Sequence, residues 1–480
     1  MERFSNRFGV LALHALVWTL PVGLFVILIL TALAPTIRPE FFSLFKQPSV
    51  GQRFYFQVAM STIALLYFGL CTAGGTLRLP RNGVLGAAIL YGLCVTASSL
   101  AARSPLFTIK ETAFLWCGIL LLGMVTHLRL SRRQSRALLT SLVLIAAVSA
   151  LYGLLQYFGV DLRWGAAGYP ADIEEARFHV LGLQGHPNYL TAFIGPALLL
   201  CPGLIAASSS VRWRAVLGGV MVVIALCILV SGTRSAWLGT LFMGGGMAVV
   251  AMRKYGSFRL GRRGKIAAVV AACGLVLLVM QARHRYSFLD RLAEARPVQG
   301  RLYFYVVATR MIAQHPLLGI GYNNYGVQFW DYSDALQSNP ANHVYSFILE
   351  DVGGIRADQA HDEYLQIAAE TGMVGLGVFF FLMVVYFRRV REEYQRLEAR
   401  HDRLLLLGMA GAVGFLLMDC LFSFPLRLPC SSLALWLVMG IGSRYAWPEA
   451  VAAAPEAANR AAASRKGGSK SKASAKSPAG

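Results

Sequence analysis

The feature that most constrains this chain is a succession of apolar runs, most of them close to twenty residues long and separated by polar or charged segments. They lie near 9–33, 54–73, 83–101, 106–126, 137–158, 188–208, 214–231, 233–252, 265–281, 364–387, 404–422 and 427–445. A helix needs about twenty residues to cross the roughly 30 Å of bilayer hydrocarbon, and each run is near that length. The expected fold is therefore an all-α polytopic membrane protein with about twelve transmembrane helices. The pairs 83–101/106–126 and 214–231/233–252 are joined so tightly that each reads as a helical hairpin. The first run is too long for a signal-peptide core and has no clear small-residue cleavage site, so it reads as a first span.

Composition supports this. The chain is 480 residues long, 56% hydrophobic and 14% charged, against roughly a quarter charged in soluble proteins. Its net charge of +21 does not point to nucleic acid, because the Lys and Arg residues sit between apolar runs and in the tail rather than on one basic face. Orientation against an anionic leaflet accounts for them. The eight cysteines fall inside or beside apolar runs. They show no zinc-ligand spacing and no disulfide framework, and read as small core residues.

Orientation follows from the loops. Arg129, Arg132, Arg133 and Arg136 share one side with Arg253, Lys254, Arg259, Arg262, Arg263 and Lys265, and with Arg388, Arg389, Arg391, Arg396, Arg400 and Arg403. The positive-inside rule makes that side cytoplasmic and puts both termini there. Residues 1–448 form the transmembrane domain. The segment 449–480, rich in Ala, Ser, Lys, Gly and Pro, reads as a disordered basic cytoplasmic tail. The opposite face carries two mixed-charge segments, 159–187 and 282–363. The second, between spans 9 and 10, is too long for a structureless loop and reads as a folded lid.

Charges at span edges on that exported face are informative, because each is costly unless paired or useful. Arg234 lies in SGTRSAWLG at a tight hairpin tip. It is either an interfacial guanidinium that reaches for water or a ligand for an anion. Arg301 opens an amphipathic helical stretch to Ile312, which breaks at HPLLGIGYNNYG. The glycines there do not form a dinucleotide fingerprint and instead read as a compact turn carrying Asn323, Asn324 and Tyr325. His361 opens HDEYLQIAAETGMVGLG at the mouth of the span 364–387. It is either a helix-start residue or an imidazole able to accept a proton from a hydroxyl. Guanidinium forks match phosphate oxygens, which suits a diphosphate leaving group. The exported face has no DxD-type metal motif.

Together, SGTRSAWLG, GRLYFYVVATRMIAQHPLLGIGYNNYG, HDEYLQIAAETGMVGLG and the closing FSFPLRLP resemble the O-antigen ligase and polymerase superfamily of bacterial envelope glycan assembly. The resemblance covers about 180–445. It includes the pattern of His361, Leu365 and Gly372 and the Pro-Asn span start in LQGHPNYLTAFIG. It implies a GT-C-like inner-membrane glycosyltransferase with a periplasmic site. Such an enzyme moves a glycan from undecaprenyl diphosphate to lipid A–core, as a ligase, or to a second lipid-linked glycan, as a polymerase of O-antigen or exopolysaccharide. By the same resemblance Arg234 and Arg301 bind the diphosphate and His361 activates or positions the acceptor hydroxyl. Arg177, Asn188, Asn323, Tyr325 and Arg427 are further candidates for substrate contacts. The reaction would be inverting and metal-independent, with no cofactor. The residue after His361 is Asp362, where many relatives carry a small amide or hydroxyl side chain. A polysaccharide transporter or flippase is the alternative of another class. It calls for mid-span charges and broken helices in two matched halves, whereas the polar candidates here gather at one membrane face.

Overall fold

The computed structural model describes residues 48–73, 82–128, 130–158, 160, 180–256, 296–337 and 357–445. The expected spans 9–33 and 265–281 fall outside the described residues, as do Arg177, most of the 159–187 segment, parts 282–295 and 338–356 of the long loop, and the tail 449–480.

Every regular element among the described residues is helical. In chain order these are α1 (Pro48–Ala73), α2 (Gly83–Ala97), α3 (Pro105–Leu128), α4 (Arg132–Tyr157), α5 (Pro187–Ala207), α6 (Val211–Val230), α7 (Arg234–Tyr255), α8 (Arg296–Gln314), α9 (Tyr325–Gln337), α10 (Glu363–Arg396), α11 (Arg400–Asp419) and α12 (Pro429–Gly442). Ten of the expected runs lie within the described residues, and each falls on one of these helices. Eight of the ten are long and apolar enough to cross a membrane, α2 counted with its 3-10 extension to Ala101. The protein is therefore an all-helical, multi-pass membrane protein.

The ends of the helices are written locally. Asn82, Ser131 and Ser210 cap α2, α4 and α6 by accepting hydrogen bonds from first-turn amides, which satisfies donors that a helix leaves free. Side-chain placement follows the apolar pattern. α12 is buried along its whole length and α5 nearly so. α6 and α7 are mostly uncovered and present Leu241, Phe242, Val249 and Val250 outward, as lipid-facing helices do. α5 and α11 are the most closely packed pair. A Cβ on Gly203 would lie 2.4 Å from the Leu405 Cα, and one on Gly408 would lie 2.8 Å from the Leu199 carbonyl oxygen. Small residues at such crossings let two backbones approach, and dispersion then holds them.

α10 is broken at Gly372, which has φ 70° and ψ 178°. A break at membrane depth must return the backbone groups it frees to some partner. Here the turn after α8 supplies them. The amides of Ile320 and Gly321 donate to the carbonyls of Ala369 and Glu370 at 3.0 and 2.9 Å, and the Met373 amide donates to Pro316 at 2.8 Å. The two motifs HPLLGIG and HDEYLQIAAETG, which begin at His315 and His361, are thus one backbone unit. Contact at Gly372 is so close that a Cβ there would stand 1.9 Å from the Leu317 oxygen.

The polar residues separate to two ends. At one end Asp402, 1% exposed as a side chain, takes Arg132 at 2.8 Å and Arg136 at 2.7 Å, with the Tyr445 hydroxyl on the same oxygen as Arg136. Arg389, Arg396, Glu393, Lys254, Arg400 and Arg403 lie at this end too, paired or stacked on Tyr255 and Tyr394. Seven of the basic residues grouped on one side by sequence, Arg132, Arg136, Lys254, Arg389, Arg396, Arg400 and Arg403, are therefore together here, while Arg129, Arg259, Arg262, Arg263 and Lys265 lie outside the described residues. The other end carries the remaining candidates.

Candidate active site

α10 starts where the chain turns sharply. His361 has φ 58°, a left-handed conformation that is uncommon outside glycine and clusters at functional sites. Asp362 then caps α10 by accepting from the Leu365 amide at 2.9 Å. The Glu363 amide donates to the Cys420 carbonyl at 2.8 Å, tying this corner to the end of α11.

The imidazole of His361 is held by rings. It stacks on Phe304 of α8, with centroids 5.8 Å apart and planes 23° apart, and meets the edge of Phe424 at 5.4 Å. Among the described residues its Nδ1 is buried without a hydrogen-bond partner. Burial, then the nearby Arg301 and His186, pushes its pKa down to about 4. The ring is therefore neutral at physiological pH, as a proton acceptor must be.

Arg301, on the first turns of α8, lies within electrostatic reach of His361, Arg234, Tyr305 and Asp419. Burial holds its pKa below the usual guanidinium range, and Tyr305 and Asp419 partly offset this. It stays charged at any relevant pH. Arg234 begins α7 directly after the hairpin Ser231–Gly232–Thr233, where Gly232 takes φ 68°. Among the described residues neither Arg234 nor Arg301 makes an ion pair or a hydrogen bond through its guanidinium. Asp419 offsets only part of this charge, and an anion between the two guanidiniums would remove the rest of their mutual repulsion.

The other candidates are placed differently. Asn188 is on the first turn of α5, and its Oδ1 accepts from the Thr233 hydroxyl at 3.5 Å, next to Arg234. Arg427, nearly inaccessible, donates through Nε to Glu363 at 2.8 Å and through Nη1 to Glu370 at 2.9 Å. Its guanidinium covers the ring of Tyr322 at 4.9 Å. The paired carboxylates raise its pKa in spite of burial. Asn323, at φ 62°, accepts from Arg427 at 3.3 Å, donates from Nδ2 to Glu111 at 2.9 Å, and donates from its amide to Glu370 at 2.8 Å. Tyr325 is completely buried and its hydroxyl donates to the Phe304 carbonyl at 2.9 Å. Arg53 closes the network on Glu111 at 2.7 Å. The polar groups of Asn323, Tyr325 and Arg427 are thus mostly occupied by protein partners.

Three residues of this end escaped the reading of the sequence. Glu370 anchors Arg427, Asn323 and Tyr325 at once. Asp419 is 1% exposed, with Arg301 and Ser235 as its polar neighbours. His186 caps α5 and lies within electrostatic reach of His361. Glu370 and Asp419 lie inside apolar runs, so the cost of an intramembrane charge was a signal for both. His186, like His361, is an imidazole at the mouth of a span.

A multi-pass helical membrane protein with two arginines that make no ion pair among the described residues, near a neutral imidazole at one end of the bundle, defines the class. The family agrees with the one the motifs resemble: residues 219–380 match the family model described as O-antigen ligase. The matched stretch contains Arg234, Arg301 and His361, and it is narrower than the 180–445 over which the motifs are similar. No curated protein matches the chain. The chain thus contains a stretch similar to the O-antigen ligase family within a multi-pass helical membrane protein.

Proposed function

We propose that this protein is an inner-membrane glycosyltransferase that takes a glycan from undecaprenyl diphosphate and passes it to an acceptor hydroxyl on the periplasmic face. The observation that carries the reading is the pair of guanidiniums, Arg234 and Arg301, that make no ion pair or hydrogen bond among the described residues and lie beside the neutral imidazole of His361. The diphosphate binds between the arginines, which stabilise the charge that grows as the anomeric C–O bond breaks. The acceptor oxygen attacks the anomeric carbon from the opposite side and gives its proton to Nε2 of His361. A single displacement of this kind inverts the anomeric configuration. The arginines take the place a divalent cation fills in other glycosyltransferases, so the reaction needs no metal. Asn188 steadies the hairpin that carries Arg234, and Asn323, Tyr325 and Arg427 hold the turn and the α10 break that set His361. Arg177 is assigned to the substrate by resemblance.

In the cell this reading corresponds to twelve spans in a GT-C-like arrangement, both termini cytoplasmic and the loop 282–363 outside. A reporter fused after about residue 320 should behave as periplasmic. The acceptor is lipid A–core for a ligase, which is the reading we favour from the matched family's description. A lipid-linked repeat unit, the acceptor of a polymerase, is the second. Gel analysis of a deletion strain separates them: loss of the ligase removes every attached O-chain, whereas loss of a polymerase leaves a single attached unit.

The site is tested with Arg234→Ala, Arg301→Ala and His361→Ala. Each protein should insert in the membrane and lose surface-glycan assembly by about 100-fold or more, the usual consequence of removing an oxyanion donor or a general base. Full activity in all three would overturn the assignment. Activity of purified protein should survive EDTA, and rescue of an EDTA-killed preparation by a divalent cation would refute the metal-free mechanism.

A further inference from the structure

The turn that braces the broken α10 also has an outer side. It emerges at Pro316, Leu317 and Leu318, with Leu317 68% and Leu318 37% exposed. Its level in the bundle is fixed by the link between α2 and α3. The Tyr322 amide donates to the Ser98 hydroxyl at 3.0 Å, and Asn324 donates from Nδ2 to the Thr108 hydroxyl at 2.7 Å. A Cβ on Gly321 would lie 2.4 Å from that of Ala102. The spans Gly83–Ala101 and Pro105–Leu128 end and begin at these residues, so the turn sits where the helices leave the membrane. An ion pair marks the water side of that boundary. Arg103 meets Asp331 of α9 at 2.7 Å, with both side chains largely exposed.

The surface beside the turn is apolar. Beyond Gly372, α10 exposes Met373, Val374, Phe380, Phe381 and Val384. They recur at helical spacing along one stripe, and Gly377 within it has open space beside it. On a helix long and apolar enough to cross a membrane, an uncovered apolar stripe faces lipid. The turn continues that stripe at its upper end. The Met373 amide donates to the Pro316 carbonyl at 2.8 Å, and Gly372 lies against the Leu317 oxygen. The backbone of the turn also suits an apolar surrounding. Pro316 has no amide to donate, and the amides of Gly319, Ile320 and Gly321 all donate to protein carbonyls. Irregular backbone at the edge of hydrocarbon requires this.

We propose that the turn 316–318 is a membrane anchor, which inserts Leu317 and Leu318 among the acyl chains of the phospholipid leaflet at the active-site end of the bundle. It pins the far end of α8, the helix that carries Arg301, to the same lipid that surrounds α10.

The test asks what the turn touches in the membrane. A photo-activatable benzophenone amino acid is placed singly at Leu317, Leu318, Phe381 and Asp331 of the full-length protein. Native membranes are irradiated and the adducts identified by mass spectrometry. Phospholipid adducts should form at Leu317 and Leu318 as they do at Phe381, about tenfold or more above Asp331, because moving a leucine-sized side chain from water to an apolar phase is worth about a decade or more. Lipid adducts at Phe381 alone would put the turn in water and overturn the proposal. Crosslinks from Leu317 to another polypeptide or to a polyprenyl lipid would overturn it by giving the surface to that partner. Absence of lipid adducts at Phe381 as well would overturn the lipid-facing stripe, and the anchor with it. If the protein altered at Leu317 does not insert, the Leu318 position decides by the same comparison.

Discussion

Replacing Arg427 by Met keeps most of the side-chain volume and removes the charge. In the folded protein this guanidinium serves Glu363 at 2.8 Å and Glu370 at 2.9 Å, whose side chains are 2% and 0% exposed. It also reaches Asn323 at 3.3 Å. Breaking one buried ion pair by removing a single partner costs about 3–5 kcal/mol, most of it from the charge left behind. Here two carboxylates lose the same partner, so the cost lies at or above the top of that range. The Asn323 and Tyr325 amides depend on Glu370, so the turn that braces the α10 break should loosen as well. Arg427→Met is therefore expected to lower the melting temperature of the detergent-solubilised protein by several degrees or to leave it aggregated. Arg427→Lys should fall between, since an ammonium lacks the fork that reaches both acids. Adding Glu363→Gln and Glu370→Gln to Arg427→Met should restore monodisperse protein, because no buried charge is then unbalanced. Size-exclusion profiles and thermal unfolding read the result. An Arg427→Met protein with wild-type stability that cannot assemble surface glycan would refute this reasoning and make Arg427 a direct substrate contact.

Gly372→Ala forces a side chain into a backbone region that only glycine occupies freely and onto the Leu317 oxygen. It should cost about 1–3 kcal/mol or more, and an unchanged melting temperature would refute the close contact. His361, with its pKa near 4 when folded against about 6.5 when unfolded, is bound to fewer protons in the native state between those values. Its contribution to stability is whole above about pH 6.5 and declines as pH falls toward 4, by up to about 3 kcal/mol. His361→Gln should flatten that part of the stability–pH curve, and a curve identical to wild type would refute the shift. For the same reason the acid limb of kcat/KM should lie well below pH 6.5, and a limb at 6.5 would contradict the buried imidazole. Asp402→Asn weakens the anchor of Arg132 and Arg136 at the opposite end. It should reduce thermal stability while the surviving folded protein binds undecaprenyl diphosphate normally, and a loss of that affinity would argue against two independent polar ends.

Much of this protein was legible along the chain. Each apolar run within the described residues is a helix, because a run of about twenty apolar residues has few other ways to satisfy its backbone in lipid. The described basic residues with contacts, from Arg132 and Arg136 to Arg400 and Arg403, do gather at one end of the bundle. Arg234, Arg301 and His361 could be singled out because a charge or imidazole at a span edge is costly and local. Other features were not legible, because they depend on which elements touch. Pattern alone marked Gly372, but its reason is the turn 316–321, which takes over the hydrogen bonds of a broken helix. Arg427, Asn323 and Tyr325 carry side chains suited to binding, and only packing reveals that Glu363, Glu370 and Phe304 occupy them.

The sequence by itself determined the membrane helices and the residues able to act, since hydropathy and charge are properties of each segment alone. The tertiary structure decided which charges are neutralised and which are left open. That depends on distance and burial between segments far apart in the chain, and among the described residues it leaves Arg234 and Arg301 without a direct ion pair and His361 neutral at the same end of the bundle.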